Sequence, residues 1–263
     1  METWHALVLA VVEGLTEYLP VSSTGHMIIA SSLMGINENN FVKDFTVIVQ
    51  FGAILSVVVL YWRRFLTAPF PFYLKITVAF LPAAVVGLLA KKKIDLILGD
   101  PMIVAGALMG GGFLMIAADR WFARREKSGS VATLSRGSAV AIGVVQCLAF
   151  VPGVSRSAAT ILGGLWRGLS RKEAAEFSFF LAVPTLTAAT GYKMLKIWPT
   201  LQRDQISILL VGNVISFVVG AITIKAFIGI VSHKGLTWFG IYRILAGLLV
   251  IALLASGRSL SLM

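Results

Sequence analysis

The chain has 263 residues, 57% hydrophobic and 13% charged, about half the charged fraction of an ordinary soluble domain. It reads as a polytopic membrane protein, with no polar stretch long enough to fold as an attached soluble domain. The net charge of +11 does not point to nucleic acid. The basic residues sit in short gaps between apolar runs (Arg63-Arg64, Lys91-Lys92-Lys93, Arg120, Arg124-Arg125, Arg171-Lys172), where loop positives orient a membrane protein.

In chain order, the first region, 3–34, is apolar but broken from Pro20 to Gly25. It has neither the basic start nor the cleavage pattern of a signal peptide, so it is expected to stay in the mature protein. Each half is too short to span, since a spanning helix needs about 20 apolar residues. A re-entrant hairpin is predicted, because non-helical backbone at membrane depth is tolerated only where protein encloses it. Spans are then predicted at 44–62, 72–90 and 101–119. Region 136–168 is broken again from Pro152 to Ser157, and a second hairpin is predicted there. Spans at 174–195, 206–230 and 238–256 complete the chain. Cys147 is the only cysteine, which excludes an intrachain disulfide.

The halves resemble each other. Pro20-Val21-Ser22-Ser23 aligns with Pro152-Gly153-Val154-Ser155, and at the same offset Asp44-Phe45-Thr46-Val47 aligns with Glu176-Phe177-Ser178-Phe179. A hairpin plus three spans is an odd unit, so the second copy must enter from the opposite face. The predicted fold is all-α: six transmembrane helices plus two re-entrant helical hairpins in an inverted-topology repeat. One membrane domain covers 1–263, with repeat one at about 1–121 and repeat two at about 136–257. The loops with Arg63-Arg64, Arg120 to Lys127, Arg167 to Lys172 and Lys234 fall on one side. That side is richer in positives than the one holding Lys43, Lys91 to Lys93, Lys196 and Arg203, so it is placed in the cytoplasm. The mouth of the first hairpin then faces outward.

Chemistry-bearing residues cluster at the two breaks. Glu13 and Glu17 are four apart and share a helix face. Two carboxylates in apolar surroundings need a cation, a proton or an arginine to coexist. A hard divalent cation, Mg²⁺ or Ca²⁺, suits their oxygens; an ion pair with Arg156 or Arg243 is the structural alternative. Ser22, Ser23 and Thr24 lie in the first break. An uncharged hydroxyl attacks once a nearby base takes its proton, and His26, one turn beyond Ser23, either is that base or is itself the nucleophile. Arg156, in the second break beside Ser155, carries a planar fork of donors suited to phosphate. Arg243 lies inside the last span and raises the same expectation. Gln50 either hydrogen-bonds the site or links helices. Asp44 and Glu176, at span starts, are read as structural.

At these residues the chain resembles the bacterial undecaprenyl-diphosphate phosphatase family, the bacitracin-resistance type, nearly end to end. The specific strings are Glu13-Gly14-Leu15-Thr16-Glu17 through Pro20-Val21-Ser22-Ser23-Thr24-Gly25-His26, and Pro152-Gly153-Val154-Ser155-Arg156-Ser157. Glu176-Phe177-Ser178-Phe179, Val183-Pro184 and Ile241-Tyr242-Arg243 support them. The resemblance implies hydrolysis of undecaprenyl diphosphate to undecaprenyl phosphate and inorganic phosphate, recycling the lipid carrier of cell-wall synthesis in the bacterial cytoplasmic membrane. It implies metal-associated glutamates at Glu13 and Glu17, dependence on Mg²⁺ or Ca²⁺, Ser23 and His26 as the serine and histidine of the first motif, and Arg156 as the phosphate-gripping arginine. Ser22, Thr24 and Ser155 match neighbouring positions, and the site opens to the outer face. One departure is Ala158, where the family usually has Gly; a helix start would accept Ala.

Two readings follow. In one, Ser23 attacks the terminal phosphorus with His26 as base, or His26 attacks itself. Gln50, Arg243, Arg156, Ser22, Thr24 and Ser155 then contact the substrate, a polyprenyl diphosphate whose tail lies in membrane lipid. In the other, the broken helices serve a transporter or flippase of a lipid phosphate or small anion. A homodimer is compatible with either, with no surface predicted for it.

Overall fold

The computed structural model describes residues 1–90, 100–123, 129–257 and 260. Lys91 to Lys93 and Arg124 to Lys127 lie outside the described residues. Among those described the chain is all-helical, without a strand. Helices α1 (Thr3–Thr16) and α2 (Ser23–Leu33) flank the first break. Then come α3 (Asn40–Ile48), α4 (Gln50–Leu60), α5 (Trp62–Thr67), α6 (Phe70–Leu89) and α7 (Pro101–Ala123). Helix α8 (Arg136–Gln146), a 3₁₀ turn at Cys147–Phe150 and α9 (Arg156–Trp166) flank the second break. Helices α10 (Arg171–Ile197), α11 (Arg203–Lys234) and α12 (Thr237–Ala255) follow.

Five helical stretches are long and apolar enough to cross a membrane: Asn40–Leu60, Phe70–Leu89, Pro101–Phe122, Arg203–Lys234 and Thr237–Ala255. They answer to five of the six predicted spans, and the protein is a multi-pass membrane protein. The sixth prediction, 174–195, falls within α10. That helix has 27 residues, about 40 Å at 1.5 Å per residue, but it is not among the five by composition. Glu176, Ser178, Pro184, Thr185, Thr187, Thr190 and Lys193 dilute its apolar character. Its first half is packed inside the protein, where Phe177, Ser178, Phe179 and Phe180 are buried, while its second half exposes Tyr192 and Leu195.

The two breaks are built alike. Ser22 and Ser155 are the only non-glycine residues with positive φ among those described, at 73° and 72°. Such a conformation costs about 1–3 kcal/mol and persists where its surroundings enforce it. Each serine caps the helix after the break: the Gly25 N–H donates to Ser22 Oγ at 3.3 Å and the Ala158 N–H to Ser155 Oγ at 3.2 Å. The equivalence is therefore Ser22 with Ser155. The sequence alignment, which paired Ser23 with Ser155, is off by one at the breaks because Gly153 (φ 95°) adds a residue to the second. In the corrected register Ser23 stands opposite Arg156, and Ala158 opposite Gly25. Ala158 lies in the first turn of α9, so Ala is well accommodated there.

Close helix pairs hold the breaks. Helix α1 lies on α11, α8 on α6, and α7 on α12. Gly14 permits the first approach, since a Cβ there would meet Val219 Cβ at 2.8 Å and Ser216 O at 2.9 Å. Below the first break is an aromatic floor. The Tyr18 hydroxyl donates to Ala53 O at 2.7 Å, and its ring meets Phe179 edge-on at 5.1 Å. Outward faces carry exposed Leu88, Leu89, Leu210 and Val214, the surface a helix offers to hydrocarbon.

Candidate active site

Arg243 organises the breaks. It is fully buried on α12, in space left by Gly111. Its Nη1 donates to Pro20 O (3.2 Å) and Val154 O (2.9 Å). Nη2 donates to Gly153 O (2.8 Å) and Ala107 O (3.0 Å), and Nε to Leu108 O (3.3 Å). Broken helices leave carbonyls without helical partners, and one guanidinium satisfies those of both breaks. These bonds account for all five of its N–H donors, so Arg243 has none to offer a phosphate. The sequence expectation that it contacts substrate is corrected: it holds the scaffold.

Arg156 joins the two halves. Its Nη2 donates to Glu17 Oε1 at 2.9 Å in a buried ion pair. Nη1 donates to Ser178 O at 2.9 Å and contacts Ser178 Oγ at 3.3 Å. Thr160 Oγ1 donates to the same Ser178 hydroxyl at 2.7 Å. Nε is buried without a partner, so the guanidinium keeps a donor for an incoming oxygen. Beside it, Ser157 Oγ donates to Leu19 O at 2.7 Å, fastening the second break to the first.

Ser23 Oγ donates to Glu17 Oε2 at 2.7 Å. Glu17 thus spans the first-half hydroxyl and the second-half guanidinium. Glu13, one turn earlier on α1, is fully buried, and neither of its oxygens has a partner. Taking a carboxylate out of water without a partner is costly. A divalent cation, which takes oxygen ligands, would fit between Glu13 and Glu17. The described residues hold no group of three or more His, Cys, Asp or Glu side chains placed to bind a metal.

His26 does not pair with Ser23 as the sequence suggested. Its Nδ1 meets Ser22 O at 2.8 Å and its Nε2 meets the Tyr242 hydroxyl at 2.6 Å. Ser22 is the N-cap of α2, so its carbonyl points along the helix to the residue four on and lies under the imidazole. His26 and Tyr242 form the polar end of a cavity of about 420 Å³, otherwise lined by apolar residues of α1, α2 and α12 such as Val12, Ile29, Leu245 and Leu249.

The remaining sequence candidates are less engaged. Ser22 and Ser155 are caps, and Ser155 Oγ also lies 3.0 Å from Ser157 Oγ. Thr24 is half-buried in the first turn of α2, and Gln50 is half-buried where α4 starts beyond Val49. Asp44 is structural as expected, paired with Lys193 at 2.5 Å. Sequence reasoning missed Ser178, Thr160 and Tyr242 as neighbours of the site. Ser178 and Tyr242 were inside quoted motifs, and their positions beside Glu176 and Arg243 were the available signal.

Fold and site together define an all-helical, multi-pass membrane protein that gathers a hydroxyl, carboxylates and a guanidinium where two broken segments meet. Residues 6–249 match the family described as Bacitracin resistance protein BacA, and the chain belongs to that family. Similar proteins include one from Bdellovibrio bacteriovorus, 52% identical over 263 residues and covering 100% of both chains. Another, from Flavobacterium johnsoniae, is 49% identical over 95% of this chain and 96% of its own. A third, from Aquifex aeolicus, is 42% identical over 96% and 98%. Each is named Undecaprenyl-diphosphatase.

Proposed function

We propose that this protein hydrolyses undecaprenyl diphosphate to undecaprenyl phosphate and inorganic phosphate, the activity for which its relatives are named. It thereby recycles the carrier lipid of cell-wall synthesis and confers bacitracin resistance. One observation carries the chemistry: Ser23 donates to a carboxylate that Arg156 holds from the other side.

In the first step Ser23 Oγ attacks the terminal phosphorus and gives its proton to Glu17. The bond from that phosphorus to the bridging oxygen breaks, and undecaprenyl phosphate leaves. Arg156 holds the transferring group with its spare N–H, a donor fixed before charge develops. In the second step water attacks the phosphorus of the phosphoserine and the bond from phosphorus to Ser23 Oγ breaks. Glu17 returns the first proton to Oγ, and the water's proton passes to His26 Nε2, which releases it to bulk water as inorganic phosphate leaves. Glu13 and Glu17 would hold Mg²⁺ or Ca²⁺, whose charge offsets that of the diphosphate oxygens.

The finer architecture is proposed as six spans, α10 being the sixth, with α1–α2 and α8–α9 as re-entrant hairpins of an inverted repeat. The matched breaks at Ser22 and Ser155, and the reciprocal packing of α1 on α11 and α8 on α6, support it. Asp119 bonds Arg171 at 2.7 Å and Thr237 Oγ1 at 2.7 Å. The end of α7 and the starts of α10 and α12 are thus at one end of the molecule, the end proposed as cytoplasmic because it is rich in positives. The site is proposed to open to the outer face of the cytoplasmic membrane.

The test is phosphate release from long-chain polyprenyl diphosphate by purified protein, with and without chelator, for wild type and Arg156→Ala. Metal-dependent release that vanishes in the variant is expected. No release from folded wild type under any metal condition overturns the phosphatase and leaves transport of a lipid phosphate as the better reading.

A further inference from the structure

The two ring nitrogens of His26 have different partners, and those partners fix the tautomer. A carbonyl oxygen only accepts, so at 2.8 Å from Ser22 O the Nδ1 must carry hydrogen. In a neutral imidazole Nε2 then holds the lone pair, and the Tyr242 hydroxyl at 2.6 Å must donate to it. An imidazolium would reverse the Tyr242 contact and place a cation at the end of a cavity whose other lining is apolar. The neutral form fits the surroundings.

Tyr242 is also held in place. Its neighbour Arg243 is bonded to the carbonyls of Pro20, Gly153 and Val154. Gly240, on the same helix, lies so close to α7 that a Cβ would meet Gly112 O at 2.7 Å. Consecutive residues of α12 thus set the backbone of the breaks and the side chain of His26. The two rings are near parallel, at 6°.

We propose that Tyr242 is a positioning residue for His26: the Ser22 carbonyl leaves the lone pair on Nε2, and the Tyr242 hydroxyl holds the ring so that this nitrogen stays aimed into the cavity. This rests on the reading above, in which Nε2 takes the proton of the hydrolytic water. The attacking water replaces the Tyr242 hydroxyl at Nε2, so the nitrogen arrives at the second step already oriented.

Tyr242→Phe removes the donor and keeps the ring. The chain has three histidines, so nitrogen NMR of protein labelled in histidine can follow His26, identified by the signal lost in His26→Gln. Wild type is expected to show one His26 tautomer, with hydrogen on Nδ1. Tyr242→Phe is expected to keep that tautomer, which the Ser22 carbonyl sets, with kcat lower by about tenfold and KM within about twofold, a part of the effect of a positioned base. A mixture of tautomers in the Phe variant overturns the proposal, because Tyr242 would then set the protonation rather than the orientation of the ring, and so does an unchanged kcat. An inactive wild type sinks the phosphatase reading, while the tautomer measurement still judges Tyr242.

Discussion

Ser23 Oγ donates to Glu17 Oε2 in a 2.7 Å hydrogen bond across the first break, joining a nucleophile to a base. The carboxylate is positioned by Arg156 from the second half. The proton acceptor for the hydroxyl is thus six residues before it in the chain, on the other arm of the break.

Ser23→Ala is expected to abolish turnover, and Glu17→Gln to lower kcat by at least about 100-fold, the scale of a lost general base. Steady-state phosphate release measures both. Near-normal turnover of Ser23→Ala, with loss in His26→Ala, would move the nucleophile to His26 Nε2.

Arg156→Lys keeps the charge but loses the planar fork that reaches Glu17 and Ser178 while leaving Nε free. A point charge on a flexible stem cannot replace it. A fall in kcat/KM of about tenfold to a few hundredfold is expected, corresponding to one charge-assisted hydrogen bond of about 1.5–3 kcal/mol. Activity within twofold of wild type would refute the role.

Glu13→Gln should act on stability and activity in opposite directions. Glu13 has two buried oxygens without a partner, so in chelator the neutral side chain should raise the thermal midpoint. The same variant should lose its response to added Mg²⁺ or Ca²⁺. Unfolding followed in detergent, with activity against metal concentration, checks both. A lower midpoint in chelator would show that the carboxylate already has a partner.

Arg243→Leu removes the donor from the break carbonyls of Pro20, Gly153 and Val154, while Ala107 O and Leu108 O keep their place in the α7 helix. Each unsatisfied buried group costs about 1–3 kcal/mol, so a sharp drop in the thermal midpoint is expected. An equally stable Arg243→Leu protein with unchanged activity would dismiss its scaffold role.

Arg156, Glu17 and the broken segments were legible because charge and Pro-Gly-Ser punctuation are rare inside apolar runs. Five spans were legible from hydropathy. The segment predicted as a sixth span lies on α10, whose Glu176, Ser178, Thr185, Thr187, Thr190 and Lys193 keep it from reading as uniformly apolar. The pairing of His26 was not legible. His26 lies three residues beyond Ser23, and helical periodicity suggests contact, but the imidazole bonds the Ser22 carbonyl one turn back and the hydroxyl of Tyr242, more than 200 residues away in sequence. Arg243 looked like a second phosphate ligand because sequence shows a buried guanidinium but not the carbonyls around it.

The chain order of these contacts matters for how the protein is made. Glu13, Glu17, Ser23 and His26 are synthesised first, Arg156 much later, and Tyr242 and Arg243 near the end. A nascent chain therefore carries its nucleophile and carboxylates into the bilayer with no guanidinium to meet them. Until the final helix inserts, the carbonyls of Pro20, Gly153 and Val154 lack their shared donor, and neither break has its finished shape. Competence for chemistry arrives with α12, so a chain truncated before it would be a membrane-bound scaffold with every reacting group present and no organised site.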